Sequence, residues 1–317
     1  QYPVIYISFR NMEEVSWENS HIAIRQLISN MYDEFKFIRE DMDERELFYF
    51  DNVWFNKDIA DWKGSLKALT KYLYEYYGKK AVVLIDEYDT PIIQAYQEGY
   101  YKQAISFFKK FYGDAMKDNE YLQFGIMTGI LRIAKEGIFS GLNNLKVNNI
   151  FSEKYSEYYG LTENEVVEAV KYYGLEYEME DVREWYDGYQ FGETEIYNPW
   201  SIINFLNDEK LKSYWVNTSG NELIKLYLKK LKNEIFDDFS KLLNKEEIFE
   251  IINDSMTFGN LEANFEKNIW NLFFHSGYLT LARKYNENSE ETYLKIPNEE
   301  ILKMFSNMFV EVYFGNS

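Results

Sequence analysis

The fold of this chain is decided by one stretch, Ala81-Val82-Val83-Leu84-Ile85-Asp86-Glu87-Tyr88-Asp89-Thr90-Pro91. Five consecutive apolar residues run directly into two adjacent carboxylates. A short apolar run without alternation predicts a strand buried on both faces, at the centre of a parallel sheet. Ligands of such sheets bind at the carboxyl ends of the strands. Asp86, Glu87 and Asp89 therefore form a candidate site.

Composition narrows the class of protein. The 317 residues are 46% hydrophobic, which is enough for two or three domains with sizeable cores. The absence of cysteine excludes disulfides and thiolate metal sites, and two histidines argue against a histidine-rich metal site. A net charge of −19 argues against broad binding of nucleic acid by this chain. No apolar run is long enough to span a membrane and no signal peptide is seen, so we expect a cytoplasmic protein.

Two further apolar runs predict buried strands beside the first, one over residues 3–9 and one over residues 122–129. Apolar residues at helical spacing predict helices between these strands, and Gly78 is the expected C-cap of the helix that leads into the Asp86 strand. Strand, helices and strand in this order predict a parallel crossover. Thr128 and Arg132 follow the third strand, so we expect both on the same rim as Asp86.

The second half of the chain has a different pattern. Thr162 and Glu165 form a capping box that opens a helix, and Ser219 and Glu222 form another. Helices are predicted over about 245–252 and 261–275. Two strand-like runs, 277–282 and 291–296, flank a polar turn and predict a β-hairpin, so that helices precede a hairpin as in a winged-helix module.

An apolar strand that ends in Asp-Glu is typical of a Walker B element. In such a site Asp86 holds Mg²⁺ through water, while Glu87 orients or deprotonates the attacking water. Thr128 and Arg132 on the next strand favour this interpretation, since they can sense the γ-phosphate. The alternatives are solvated acids at a strand end and, for Arg132, a structural ion pair with a neighbouring acid.

The phosphate-binding half of such a site is missing from the sequence. A phosphate loop has the form G-x-x-x-x-G-K-S/T. The one Gly-Lys pair is Gly78-Lys79; it precedes the wrong strand and is followed by Lys80 in place of a hydroxyl residue.

Two other features have a structural and a functional interpretation. The aromatic turn of residues 185–192 could stack a base or a sugar, but packing between helices is the favoured reading. Arg283 and Lys284 in the hairpin could touch a phosphate, although Glu287, Glu290 and Glu291 in the same hairpin argue against DNA binding.

Six motifs together resemble those of a known family. They are Leu84-Ile85-Asp86-Glu87-Tyr88-Asp89-Thr90-Pro91, Thr128-Gly129-Ile130-Leu131-Arg132-Ile133-Ala134-Lys135, Phe139-Ser140-Gly141-Leu142-Asn143-Asn144, Trp185-Tyr186-Asp187-Gly188-Tyr189-Gln190-Phe191-Gly192, Tyr197-Asn198-Pro199-Trp200-Ser201 and Tyr214-Trp215-Val216-Asn217-Thr218-Ser219. Through nearly its whole length the chain resembles bacterial and archaeal AAA-ATPase-like proteins, P-loop NTPases that commonly carry a C-terminal restriction-endonuclease-like nuclease domain.

The resemblance implies an α/β fold: a P-loop NTPase-like core with a parallel sheet over residues 1–152, a helical lid over 153–212 and a winged-helix-like domain over 213–317. It implies ATP and Mg²⁺ as ligands. Asp86 is then the Mg²⁺-coordinating acid and Glu87 the catalytic glutamate. Thr128 and Arg132 become the sensor region, and Asp89 joins Asp86 in cofactor binding.

The chain departs from the family at two places. Members usually carry an R-F-G-K-T phosphate loop on a strand before the one at Pro3, and a nuclease domain after the winged helix. We expect this chain to be a fragment or a truncated copy that binds ATP weakly or not at all and lacks ATPase activity by itself.

Two other functions remain open. The chain could be an interaction or oligomerisation module with a vestigial nucleotide site, self-associating and regulating an attached nuclease domain. It could also be a carboxylate-only hydrolase of glycosides or phosphodiesters. The last is disfavoured, because adjacent residues on an extended strand point to opposite faces.

Overall fold

The computed structural model describes residues 2–129, 145–215, 233, 235–252, 265–283 and 291–315. They form a mixed α/β protein with two compact units, one built on residues 1–145 and the other on residues 146–254 and 259–317. The finer division at residues 152/153 and 212/213 stays a prediction. The capping box predicted at Ser219 and Glu222 and the loop Ser140–Asn144 lie outside the described residues.

A three-stranded parallel sheet forms the centre of the first unit. Its strands are β1 (Val4–Ser8), β2 (Ala81–Asp86) and β3 (Leu122–Met127), in the order β1-β2-β3. The Asp86 strand is therefore central, as the uninterrupted apolar run predicts. Ser8 pairs with Asp86, and Ile85 pairs with Met127. The carboxyl ends of all three strands thus meet at one edge of the sheet.

Helices connect these strands. They are α1 (Trp17–Glu34), a 3-10 helix (Lys36–Asp41), α2 (Glu44–Trp54), α3 (Ser65–Tyr77), α4 (Thr90–Gln97) and α5 (Tyr101–Met116). The Ser16 side chain caps α1 by accepting a hydrogen bond from the Asn19 backbone N–H. Gly78 ends α3 in the left-handed conformation, with φ of 64°, and so turns the chain into β2 as predicted.

The two faces of the sheet differ in burial. On one face Ile5, Val83 and Ile85 are buried. On the other face the apolar side chains of the outer strands are about half exposed: Val4 (47%), Tyr6 (57%), Phe124 (48%) and Ile126 (50%). Burial on both faces is confirmed for most of β2. It is wrong for β1, which buries one face only, and for β3, where residues 123–126 are exposed on both faces. Apolar composition shows that a face suits burial but not that another element covers it.

The second unit begins with short helices around a small hairpin and ends with a sheet and a long helix. Its elements are a 3-10 helix (Ser156–Tyr158), α6 (Glu163–Tyr173), α7 (Met179–Tyr186), β4 (Tyr189–Phe191), β5 (Thr194–Ile196), α8 (Pro199–Asp208), α9 (Phe236–Leu243), β6 (Ile248–Ile251), α10 (Phe265–His275), β7 (Thr280–Leu281), β8 (Glu291–Lys295) and α11 (Glu299–Phe314). The predicted capping box of α6 is confirmed, since the Glu165 carboxylate accepts hydrogen bonds from the Thr162 N–H and hydroxyl.

Three antiparallel strands form the later sheet, in the order β6-β8-β7. The pairing of β7 with β8 confirms the predicted hairpin. The helix predicted over about 245–252 is wrong, because Ile248–Ile251 forms β6 and pairs with β8. The ladder to β8 outweighs local helical propensity in this segment.

Candidate functional site

The carboxyl edge of the parallel sheet brings three hydroxyl groups onto the Asp86 carboxylate. Ser8 Oγ donates to Asp86 Oδ2 at 3.0 Å, and the Tyr6 hydroxyl donates to the same oxygen at 3.3 Å. Thr128 Oγ1 donates to Asp86 Oδ1 at 2.8 Å. Both oxygens of the central carboxylate are therefore oriented from the two neighbouring strands.

Backbone pairing continues beyond the strands and fixes this edge. The Phe9 N–H donates to the Asp86 carbonyl at 3.0 Å, and the Thr128 N–H donates to the Ile85 carbonyl at 2.9 Å. The Tyr88 N–H in turn donates to the Thr128 carbonyl at 3.0 Å. Thr128 is thus held beside Asp86, as expected from their places at the ends of adjacent strands.

Glu87 lies at the point where the chain leaves the strand. Its φ is 50°, a left-handed conformation that a non-glycine residue adopts at a cost of about 1–3 kcal/mol. Its Oε2 accepts a hydrogen bond from Thr90 Oγ1 at 3.2 Å, and its carbonyl accepts from the Thr90 N–H at 3.2 Å. This turn separates the surroundings of the two adjacent acids: hydroxyls surround Asp86, whereas Glu87 is tied to the start of α4.

Asp89 occupies a different environment from Asp86. Its residue is 1% exposed, and it precedes α4 at the N-cap position. A Cβ on Gly129 would lie 2.4 Å from Asp89 Oδ1, so the absence of a side chain at Gly129 lets this carboxylate approach the backbone. Burial and the nearby Asp89 charge raise the pKa of Tyr112 well above its usual value. The role of Asp89 in cofactor binding stays a prediction, as do the roles of the other site residues.

Arg132, the second predicted sensor residue, lies outside the described residues. Ser8 and Tyr6 were not singled out from the sequence, although a signal was present. The signal is that Ser8 is a polar residue at the end of an apolar run on a strand parallel to β2. Once the register is known, Ser8 can be matched to Asp86, and Tyr6, two residues earlier, lies on the same face as Ser8.

The donor atoms at this edge suit a hard cation. Asp86, Ser8 and Thr128 offer oxygen atoms, which Mg²⁺ prefers. Within the described ranges, no group of three or more His, Cys, Asp or Glu side chains is placed to hold a metal ion. A single carboxylate is nevertheless consistent with Mg²⁺, which is commonly held by one or two carboxylates together with substrate phosphates and water.

The aromatic turn of the second unit is a packing element. Tyr186 and Tyr189 are buried, and Lys303 lies 3.8 Å over the Trp185 ring. Gly188 has φ of 96°, and a Cβ there would lie 2.3 Å from the Pro297 carbonyl oxygen. The buried tyrosine rings favour the packing interpretation over stacking on a base or sugar.

The hairpin arginine has partners within the protein. Arg283 pairs with Glu247 at 2.8 Å and lies 3.7 Å over the Tyr293 ring. This pairing balances its charge and weakens the case for phosphate contact by the hairpin. Lys284, Glu287 and Glu290 lie outside the described residues. No helix in the described part of the chain combines the length and the apolar character needed to cross a membrane.

Most of the first unit matches a family model of known proteins. Residues 1–139 match the family model described as predicted AAA-ATPase. The chain is also 26% identical, over 228 residues, to an "Uncharacterized protein in vnfD 5'region" of Azotobacter chroococcum mcd 1. That match covers 71% of this chain and 42% of the relative, so the chain spans less than half the length of that protein. No solved structure matches. The family resemblance seen in the sequence is thus confirmed by a family match over residues 1–139, the segment that carries the Asp86 edge.

Proposed function

We propose that the first unit is the Mg²⁺-and-water half of an ATP-hydrolysing site. The observation that carries the proposal is the Asp86 carboxylate at the end of the central parallel strand, with hydroxyls of Ser8 and Thr128 on either oxygen. The match of residues 1–139 to predicted AAA-ATPases supports a nucleotide as the ligand.

In this proposal each residue has a distinct task. Asp86 holds Mg²⁺, and the hydroxyls that donate to its carboxylate fix the orientation of that ligand. Glu87 orients the attacking water, and Thr128 with Arg132 responds to the terminal phosphate. When bound, Mg²⁺ would neutralise part of the negative charge of the phosphates.

The phosphate-binding loop must then come from outside residues 1–317. No G-x-x-x-x-G-K-S/T sequence occurs in them. The half-exposed apolar face of β1 and β3 supports this arrangement, because parallel sheets are normally covered on both faces. We therefore propose that residues 1–317 alone bind Mg·ATP weakly and turn it over negligibly.

The test compares residues 1–317 with the full-length product of the gene, using Mg·ATP binding and phosphate release. We expect turnover in the full-length protein alone. Glu87→Gln should abolish turnover while ATP binding persists, and Asp86→Asn should weaken the Mg²⁺-dependent part of binding. Failure of the full-length protein to bind nucleotide would overturn the proposal. Asp86-dependent turnover by residues 1–317 would overturn the external phosphate loop.

The second candidate function is an interaction module that self-associates and regulates an attached nuclease domain. The half-exposed side chains of Tyr6 and Phe124 favour it, since contiguous apolar surface marks interaction sites. Light scattering that shows a monomer at every concentration would count against self-association.

For the second unit we propose a helical lid followed by a winged-helix-like domain. The order of α9, α10 and the β7–β8 hairpin supports the latter. The pairing of Arg283 with Glu247 argues that its hairpin does not serve to bind DNA.

A further inference from the structure

A cleft of about 300 Å³ opens beside the carboxyl edge, between the end of β1 and helix α1. Its polar lining includes Ser8, Arg10, Asn11, Glu14 and Asn30. Ser8 also donates to the Asp86 carboxylate, so the cleft and the candidate metal site share a wall. A ligand at Asp86 therefore lies next to the cleft.

The backbone that carries Arg10 is fixed from several sides. Phe9 is fully buried, with its ring centroid 5.4 Å from that of Phe108, and its N–H donates to the Asp86 carbonyl. The Arg10 N–H donates to Ser8 Oγ at 3.3 Å. The Met12 N–H donates to the Phe9 carbonyl and closes a tight turn. The Arg10 side chain therefore extends from a fixed backbone position, two residues after Ser8, which both contacts Asp86 and lines the cleft.

The charge of Arg10 is not balanced within the described part of the chain. Its side chain is exposed, and no carboxylate there pairs with its guanidinium. Arg25 pairs with Asp58 at 2.7 Å and Arg39 with Asp51 at 2.8 Å. Arg45 is exposed and has no acidic partner among the described residues either, but unlike Arg10 it does not line the cleft. In a chain with 53 acidic and 34 basic residues, an arginine without an acidic partner at a candidate site suggests an anion from outside.

We infer that this cleft receives the terminal phosphate of the nucleotide held at Asp86, and that Arg10 is the residue that distinguishes a nucleoside triphosphate from a diphosphate. A guanidinium is planar, always charged and suited to binding phosphate oxygens in pairs. The amides of Asn11 and Asn30 in the lining add neutral donors. The inference rests on the proposed ATP-binding function and adds to it a residue for the terminal phosphate.

The experiment measures the Kd of Mg·ATP and Mg·ADP for the full-length protein with Glu87→Gln, which prevents turnover. Adding Arg10→Gln should weaken ATP binding by about tenfold to a hundredfold, the loss expected for a hydrogen bond between charged groups, and change ADP binding by less than about twofold. Arg10→Lys should recover part of the lost ATP affinity, because lysine keeps the positive charge but lacks the planar guanidinium that donates two hydrogen bonds to one phosphate. Arg45→Gln, which removes an exposed arginine of α2, is the matched control and should leave both constants unchanged.

The outcomes separate the two levels of the proposal. If the parent protein binds neither nucleotide, the proposed function fails and this inference fails with it. If the parent binds both and Arg10→Gln leaves ATP affinity unchanged, the inference alone is overturned. Equal losses for ATP and ADP would also overturn it, because they would place the arginine away from the terminal phosphate. Circular dichroism and the recovery by Arg10→Lys distinguish a binding defect from a folding defect.

Discussion

Replacing Glu300 should destabilise the second unit more than any exposed acid. Its side chain is fully buried at the start of α11. One oxygen accepts hydrogen bonds from the backbone N–H groups of Tyr214 and Trp215, the latter at 2.7 Å, and the other accepts from Ser201 Oγ at 2.6 Å. Each bond to a charged group is worth about 1.5–3 kcal/mol, but such bonds are not additive. For Glu300→Ala we expect a loss of about 3–5 kcal/mol in the free energy of unfolding, since three buried donors lose their acceptor.

Glu300→Gln should cost less, about 1–3 kcal/mol, because the amide oxygen can still accept from the backbone while the charge is lost. The matched control is the neighbouring acid, Glu299→Ala. Its side chain is 21% exposed and pairs with Lys245, which is 62% exposed, so the loss of this solvent-accessible ion pair should cost at most about 1 kcal/mol. Urea unfolding gives the free energies, and hydrogen exchange reports the two amides directly. The reasoning is refuted if Glu300→Ala matches Glu299→Ala, or if the Tyr214 and Trp215 amides remain protected in Glu300→Ala.

Three further outcomes are expected. Gly188→Ala should cost about 3 kcal/mol or more, because its Cβ would lie 2.3 Å from the Pro297 carbonyl oxygen, whereas Gly174→Ala, with nothing within 4 Å, should lose only about 1–2 kcal/mol; thermal unfolding compares them. Burial raises the pKa of Asp187 from 3.8 to about 6. The folded protein therefore holds the Asp187 proton more tightly than the unfolded chain does, and the free energy of unfolding falls as the pH rises from about 4 through 6. Asp187→Asn should therefore stabilise the protein by about 1 kcal/mol at pH 7, after allowance for solvent screening, and change little at pH 4; an equal effect at both values would refute this. Ser8→Ala should weaken Mg²⁺-dependent nucleotide binding by about tenfold without lowering the unfolding midpoint, measured by titration and by urea unfolding.

The sequence predicted the centre of the fold better than its faces. A continuous apolar run could be assigned to the middle of a parallel sheet because such strands need cover on both sides. The same logic failed for β1, where Ile5 is buried and Tyr6 is 57% exposed. The composition of a strand does not show whether another element packs against each of its faces, because that depends on the tertiary structure.

The candidate site was predictable to the extent that it follows from strand ends. Asp86 and Thr128 were matched because both end neighbouring strands, and a 2.8 Å hydrogen bond joins them. The hydrogen bond from Ser8 to Asp86 depends on the register between β1 and β2, which cannot be derived from the sequence alone. The burial of Asp89 depends on the close approach of Gly129, which follows β3. Both are long-range contacts, so local patterns could not reveal them.

Because side chains alternate between the two faces of a strand, the polar groups at the carboxyl edge can be assigned to the same face of the sheet as the exposed apolar residues. Tyr6 and Ser8 share a side of β1, because side chains two residues apart point the same way. Both donate to Asp86, so the Asp86 carboxylate points to that same side. Phe124 and Ile126 precede Thr128 at the same parity and are about half exposed. An element that covered these apolar residues would therefore pass beside Asp86. On this geometry, one element would both cover the exposed face of the sheet and complete the proposed nucleotide site.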